Sequence, residues 1–437
     1  MPALFPNRMN QIPPSRLPSL PIPPALMGNE PGSFAENTVT VRLKEIARRV
    51  LAENTFPAET AALIQRLIDE MPFAPITPLD DVGAPDEAAW QEYVKPHLGK
   101  NWRDIPWYFA EAYFYRRLMA IVRYFQHLPG CEPDPYQAQK EQGLALTRSD
   151  THALCHRIEE WRASGLAYEI AHAQEIGRGK NPGWVELLPR FLLIALWGNQ
   201  SDLSLWPAGG EDQAGDTMPA LPKGSQLFLD ESSYLVRHLQ ISELPLSRVD
   251  VLLDNASFEL VCDLALVDFL LWSGLAGTVT LHVKAHPTFV SDAVEKDVLA
   301  TFQFLAEDSE PASAALGARL KFALHIGRIQ IRPDLFWNSA LCFWEMPDIL
   351  HDWFKTSGLT ISKGDANYRR FLGDRHWQYT DPFAAITSYF PAPLLALRVC
   401  KSEVICGLAQ GKAEELFSQD PLWRTDGQWG MIQFRVN

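Results

Sequence analysis

The 437-residue chain is poor in cysteine, in basic charge and in long apolar runs, and each shortage closes off a class of protein. Its six cysteines, Cys131, Cys155, Cys262, Cys342, Cys400 and Cys406, form no C-x-x-C pair and lie scattered in apolar segments. That distribution predicts reduced thiols in an intracellular chain, not a secreted disulfide framework. Lys and Arg number 39 against 53 Asp and Glu, a formal charge of −14. Phosphate-backbone binding draws on Lys/Arg clusters, so the balance argues against a general nucleic-acid binder and against docking on anionic lipid. The most apolar stretch, residues 187–198, is broken by Pro189 and Arg190 and is too short to span a bilayer. Arg8 and Arg16 stand near the N-terminus without the apolar core of a signal peptide, and nine prolines before Gly32 would spoil an amphipathic targeting helix. The expectation is a cytoplasmic protein with no membrane and no nucleic-acid partner.

What is present is an ordinary globular balance, 47% hydrophobic and 21% charged. The length allows two or three units. Residues 1–33 read as a Pro-rich arm in extended, polyproline-like conformation. Residues 34–190 read as an all-helical domain, with helical patterns from Val39, after Pro57, and over 87–98, 106–125 and 149–162. The aromatic density between Trp107 and Tyr124 reads as packed core and not as a ligand cage. Residues 191–437 change grammar. Apolar runs at 249–254, 279–284, 328–332, 359–363 and 394–399 alternate with helical patterns, among them 258–272 and 292–305. This alternation predicts an α/β fold with a Rossmann-like, doubly wound parallel sheet following the helical domain. Residues 208–224 read as a surface loop.

In such sheets chemistry gathers at the carboxyl ends of the strands. There the run Val251-Leu252-Leu253 ends in Asp254-Asn255. Two hard oxygen donors on one turn suit a divalent cation. Taken alone, the dipeptide reads more plainly as an Asx turn with Asp254 capping a helix that opens at Ser257. The next strand strengthens the metal reading, because it too runs into a loop and an aspartate, Asp292. Adjacent parallel strands would bring Asp292 beside Asp254, with Lys284 and His286 facing the same cleft. His152 and His156 are four apart on a helix but lack the H-E-x-x-H glutamate, so they are rejected as a zinc pair.

Six strings in order carry a resemblance. They are residues 27–35 (Met-Gly-Asn-Glu-Pro-Gly-Ser-Phe-Ala), 196–204 (Leu-Trp-Gly-Asn-Gln-Ser-Asp-Leu-Ser), 254–259, 282–292, 363–369 (Lys-Gly-Asp-Ala-Asn-Tyr-Arg) and 398–403 (Arg-Val-Cys-Lys-Ser-Glu). From about residue 20 onward the chain resembles the metal-dependent damage-control phosphatases, in the branch also called acidic-residue or protein-glutamate methyltransferases (subfamily III). The resemblance implies that Asp254, Asn255 and Asp292 form the catalytic metal site for Mn²⁺, Co²⁺, Ni²⁺ or Mg²⁺. It implies that Asp365, Asn367, Tyr368 and Arg369 line the substrate pocket and that Lys401 holds the phosphate. Asn199, Asp202 and Lys284 are further substrate-side candidates. One departure is Val399, where the branch carries threonine between Arg398 and Lys401.

The implied function is hydrolysis of a small phosphorylated metabolite, such as fructose 1-phosphate or fructose 6-phosphate. A divalent ion would neutralise phosphoryl charge and activate water, with Lys401 and Arg369 as cationic donors. No Asp-x-Asp-x-Thr string follows an N-terminal strand, so no phospho-aspartyl intermediate is expected. The rival attached to the family, an S-adenosylmethionine-dependent carboxyl methyltransferase acting on protein glutamates, would need a glycine-rich loop after the first strand, yet Asp-Asn-Ala-Ser follows Leu253. A non-catalytic scaffold using the aromatic helices is the third reading. No feature sets the oligomeric state, and a monomer is the default.

Overall fold

Apolar β-rich runs separated by amphipathic helices must bury both faces of whatever sheet they form, and the chain does this with helices on each side. A computed structural model describes residues 12–126, 134–176, 182–198 and 226–436. The first half is helical: α1 (Phe34–Asn37), α2 (Leu43–Glu53), α3 (Ala58–Glu70), α4 (Glu87–Val94), α5 (Trp107–Ile121), α6 (Gln137–Leu146), α7 (Arg148–Ile176) and α8 (Trp184–Trp197). The second half alternates β1 (Gln226–Asp230), α9 (Ser232–Ile241), β2 (Leu246–Leu252), α10 (Ser257–Trp272), β3 (Ala276–Lys284), α11 (Glu295–Ala306), α12 (Pro311–His325) and β4 (Ile329–Asp334). It closes with α13 (Asp348–Phe354), β5 (Leu359–Lys363), α14 (Asp365–Phe371), α15 (Phe383–Ile386), β6 (Leu394–Val399), α16 (Lys412–Gln419) and β7 (Trp429–Arg435).

The seven strands run in the order β1-β7-β6-β5-β2-β3-β4. β2 to β6 are parallel to one another, as the alternation predicts, but β7 is antiparallel to β6, so the sheet is mixed. β1 and β7 are not anticipated from the sequence. β5 and β6 have the expected bounds, whereas β2 stops at Leu252, two residues before Asp254. The predicted helix over 149–162 runs on to Ile176, and the one over 87–98 gives way to a 3₁₀ turn after Val94.

Side-chain alternation assigns the strands to two cores. In β6, Leu395 and Leu397 face one core while Leu394 and Ala396 face the other. The first core joins α2, α3 and α5 to Phe336, Trp344, Phe371 and Phe390. The second packs α7, α8 and α10 on the opposite face, with Phe191 stacked on Phe269 at 4.3 Å. The N-terminal helices therefore share their core with the sheet segment. The described part of the Pro-rich arm lies across this surface: Leu26 N donates to Asp374 O, and Ala25 pairs with Arg375 in a β-bridge. No helix among the described residues is long and apolar enough to cross a membrane.

Candidate active site

β2 and β3 are neighbours, so the loops that follow them share one edge of the sheet. Cross-loop hydrogen bonds stitch them together. Ala256 N donates to Ser291 O at 2.7 Å, Ala293 N to Asp254 O at 2.8 Å, and Asn255 and Asp292 form an antiparallel bridge. This pairing consumes the backbone that would otherwise begin a helix at Asp292, so α11 starts at Glu295. The Asx-turn alternative is not what forms: the N-cap of α10 is Ala256, with no side-chain cap.

Asp254 and Asp292 are both buried. Asn255 Nδ2 donates to Asp254 Oδ2 at 2.9 Å and to Glu259 Oε2 at 2.7 Å, while its Oδ1 accepts from Ser291 Oγ at 2.5 Å. Lys284 Nζ stands 3.2 Å from Asp292 Oδ2 as an ion pair, yet this oxygen receives no hydrogen bond of proper geometry. Burial, then the Glu259 and Asp292 charges, push the Asp254 carboxyl well above the usual range, against partial relief from Lys284 and Lys401. Burial raises Asp292 as well, opposed chiefly by Lys284. Gly364 makes the close packing possible: its φ is +83°, and a Cβ there would lie 2.0 Å from Asp254 Oδ2.

Beneath this pair Lys363 Nζ reaches Asp263 Oδ1 at 2.9 Å and Glu259 Oε1 at 3.4 Å, and donates to Ala195 O. Beside it, Asp365 Oδ1 accepts from Arg398 Nε at 2.8 Å, Ser402 Oγ at 3.0 Å and Lys401 N at 3.2 Å. Burial opposes the Asp365 charge, yet Arg398, Arg369 and these donors together hold its pKa below the ordinary range. Asp254, Glu259, Lys363, Gly364, Asp365 and Lys401 line one narrow cleft, with Leu196, Leu397 and Val399 as its apolar wall.

The other expected substrate residues lie around this cleft with their polar groups already engaged. Asn367 Nδ2 donates to Lys363 O and Leu253 O, bracing the two strand ends. The Tyr368 hydroxyl donates to Gln433 Oε1 at 2.8 Å. The Arg369 fork grips Asp374 through Nε and Nη2, its Nη1 meets Glu111 Oε2 at 2.6 Å, and its guanidinium lies 3.5 Å from the Trp107 ring centre. His286 does not reach the carboxylates. Its Nδ1 faces Pro287 O and Asn338, and Phe125 packs against its ring. His152 and His156 pair with Asp308 and Glu310, each at 2.9 Å. Asn199 and Asp202, like the expected loop over 208–224, fall outside the described residues. Glu259, Lys363 and Glu111 are additional residues of this site. All three are buried; Glu259 and Lys363 stand in the strings 254–259 and 363–369, whereas Glu111 stands in none of the six.

A profile of the damage-control phosphatase ARMT1-like domain matches residues 37–416. The chain belongs to that family. Among its relatives, damage-control phosphatase ARMT1 of Danio rerio is 32% identical over 449 residues, covering 94% of this chain and 97% of that protein. The Homo sapiens protein of the same name is 30% identical, with 94% and 98% covered. A solved DUF89 family protein from Pyrococcus horikoshii aligns over 91% of this chain and 96% of its own at 12% identity, with a TM-score of 0.42.

For a damage-control phosphatase the question is whether these residues suit a divalent cation. Among the described residues no three of His, Cys, Asp and Glu converge on a metal position. The donor set is instead two carboxylates and a carboxamide, all hard oxygen ligands of the kind that Mg²⁺ and Mn²⁺ accept. Two observations support the fit: among the described residues Asp292 Oδ2 meets no donor beyond the Lys284 ammonium at 3.2 Å, and the buried Asp254, Asp292 and Glu259 repel one another. A cation would relieve that repulsion. Asn255 presently turns its nitrogen toward Asp254, so ligation through Oδ1 requires its amide to turn over.

Proposed function

We propose that, within the phosphatase class its family gives, the chain is a divalent-metal-dependent hydrolase of small phosphate monoesters, with sugar phosphates such as fructose 1-phosphate and fructose 6-phosphate as substrates. The observation that carries this reading is the pairing of the loops after β2 and β3, which sets buried Asp254 and Asp292 side by side, with the exposed Lys401 lining the cleft beside Asp254. Asp254, Asp292 and Asn255 would hold Mn²⁺, Co²⁺, Ni²⁺ or Mg²⁺. Such an ion supplies positive charge for the phosphoryl group and acidifies a water molecule. Lys401, at the cleft rim, takes the phosphate as a mobile ammonium. The three hydrogen bonds to Asp365 all fall on Oδ1, which leaves Oδ2 to accept a sugar hydroxyl. Arg369, held by Asp374 and Glu111, orders the pocket wall instead of offering a free fork. Leu196, Leu397 and Val399 keep one side of the cleft dry, which strengthens the electrostatic contacts within it.

The test is phosphate release from p-nitrophenyl phosphate and a panel of sugar phosphates by protein stripped of metal and reloaded with each ion. Activity should require metal and vanish in Asp254→Ala and Asp292→Ala. Turnover that survives chelation, or full metal-dependent turnover in Asp254→Ala, would overturn the reading.

A further inference from the structure

The loop that carries Asp292 is strained. Phe289 and Val290 have φ of +47° and +68°, and across the cleft Ser257 has +61°. Bulky and β-branched residues enter this region only when their surroundings over-determine the backbone. Ser291 is fastened to the neighbouring loop by its carbonyl and hydroxyl and donates its N–H to Phe289 O at 2.8 Å, while the Phe289 ring is held by contacts from elsewhere. They come from α5, the aromatic helix whose side chains read as core. Tyr108 and Tyr115, seven residues and two turns apart, share one face of that helix. The Tyr108 ring stacks on Phe289 at 6.0 Å and 25°, and the Tyr115 ring meets it at 4.8 Å and 39°.

We infer that Tyr108 and Tyr115 are positioning residues: their rings clamp Phe289 and so lock the left-handed pair 289–290 that presents Asp292 to Asp254 and Asn255. The inference rests on the reading of Asp254 and Asp292 as cation ligands. Without the clamp, residues 289–290 relax toward ordinary φ, and such a rotation two residues before Asp292 redirects its carboxylate. The arrangement gives the N-terminal helices a part in the site that packing alone would not: they set the separation of two ligands carried by the sheet.

The test uses the full-length protein, stripped of metal, with Mn²⁺ affinity measured by calorimetry and the fold checked by circular dichroism and melting. Tyr115→Leu and Phe289→Leu should each weaken Mn²⁺ about tenfold, and the double variant should bind no more weakly than either single one, because both remove the same clamp. Tyr115→Phe keeps the ring and should bind as wild type. Tyr113→Leu, on α5 but packed against Trp102 and Phe109, should lower the melting temperature and leave Mn²⁺ affinity unchanged. Wild-type affinity in the folded Phe289→Leu protein, strictly additive losses, or an equal loss in Tyr113→Leu would overturn the clamp. Should Tyr115→Leu fail to fold, Phe289→Leu carries the same test. Asp292→Asn separates the two levels: if it leaves Mn²⁺ binding intact, the ligand assignment itself falls.

Discussion

Gly364 offers the sharpest test of how the carboxylates are seated. Its φ of +83° and ψ of 170° lie where glycine alone is at ease, so alanine would strain the backbone by about 1–3 kcal/mol. The added Cβ would also stand 2.0 Å from Asp254 Oδ2 and 2.2 Å from Asp254 Cγ. Both atoms are buried between β5 and β2, and overpacking of this kind costs about 1–3 kcal/mol more. Asp254 can escape only by retreating about 1 Å or more, a displacement that in a catalytic site costs about a hundredfold in rate. Gly411 is the control for positive φ without a clash: its φ is also +83°, with ψ at −10°, and no atom lies within 4 Å of its Cβ position. Gly411→Ala should therefore lose about 1–2 kcal/mol in urea unfolding and keep its kcat/KM. Gly364→Ala should lose about 2–6 kcal/mol and about two orders of magnitude in kcat/KM for p-nitrophenyl phosphate. Equal stability and equal turnover in the two variants would refute the close seating of Asp254 against the β5 turn.

Burial pushes the His286 imidazole down to about 4, with Arg116 adding to the effect, against an ordinary value of 6.5. A depressed folded pKa gives stability that is complete above 6.5 and is lost as pH falls toward 4. This one group should account for about 3 kcal/mol of the acid loss, so the unfolding free energy of His286→Gln should vary less between pH 7 and pH 4.5, and parallel profiles would contradict this. Arg116 is buried between Asp81 and Asp86, at 2.8 and 2.7 Å, and Arg116→Met should cost about 3–5 kcal/mol in urea unfolding by stranding two carboxylates; a loss below about 1 kcal/mol would refute the pairing. Val399 lines the cleft, and Val399→Thr should lower KM for the preferred sugar phosphate about two- to tenfold through one new hydrogen bond. An unchanged KM across the substrate panel would show that position 399 faces no ligand.

The two strands that sequence reading located to their bounds, β5 and β6, keep their charged residue at or next to the C-terminal end, Lys363 and Arg398. β5 and β6 declare themselves as unbroken β-rich runs with every residue buried. β7 is equally buried but contains Gln433 and Arg435, which look like surface residues until their partners are known. Gln433 binds Tyr368 and Cys406 O, and Arg435 donates to Phe390 O and Ala392 O. Those partners are supplied by tertiary contacts that no local period encodes, and missing β7 also meant missing the antiparallel edge and β1 beside it. The same limit applies at the site. The adjacency of Asp254, Asn255 and Asp292 was legible because strand ends converge by topology. Glu111 was not, because its role depends on Arg369, 258 residues away.

The arrangement also explains how so acidic a chain can serve an anionic substrate. Of its carboxylates, Asp263 and Glu259 are spent on Lys363, Asp365 on Arg398, and Asp374 and Glu111 on Arg369. Asp254 and Asp292 are both buried, and among the described residues the cation in ion-pair contact with them is Lys284, on Asp292. Uncompensated buried charge destabilises a fold, and so does left-handed backbone at Phe289 and Val290. Both costs fall on the loops after β2 and β3, and a cation bound there would offset the charge repulsion. The stability of the empty protein should therefore rise with Mn²⁺ concentration as RT ln(1 + [L]/Kd), by about 2.7 kcal/mol at a hundred times Kd. That rise should disappear in Asp292→Ala. A Mn²⁺-dependent gain that persists in Asp292→Ala would place the ion elsewhere.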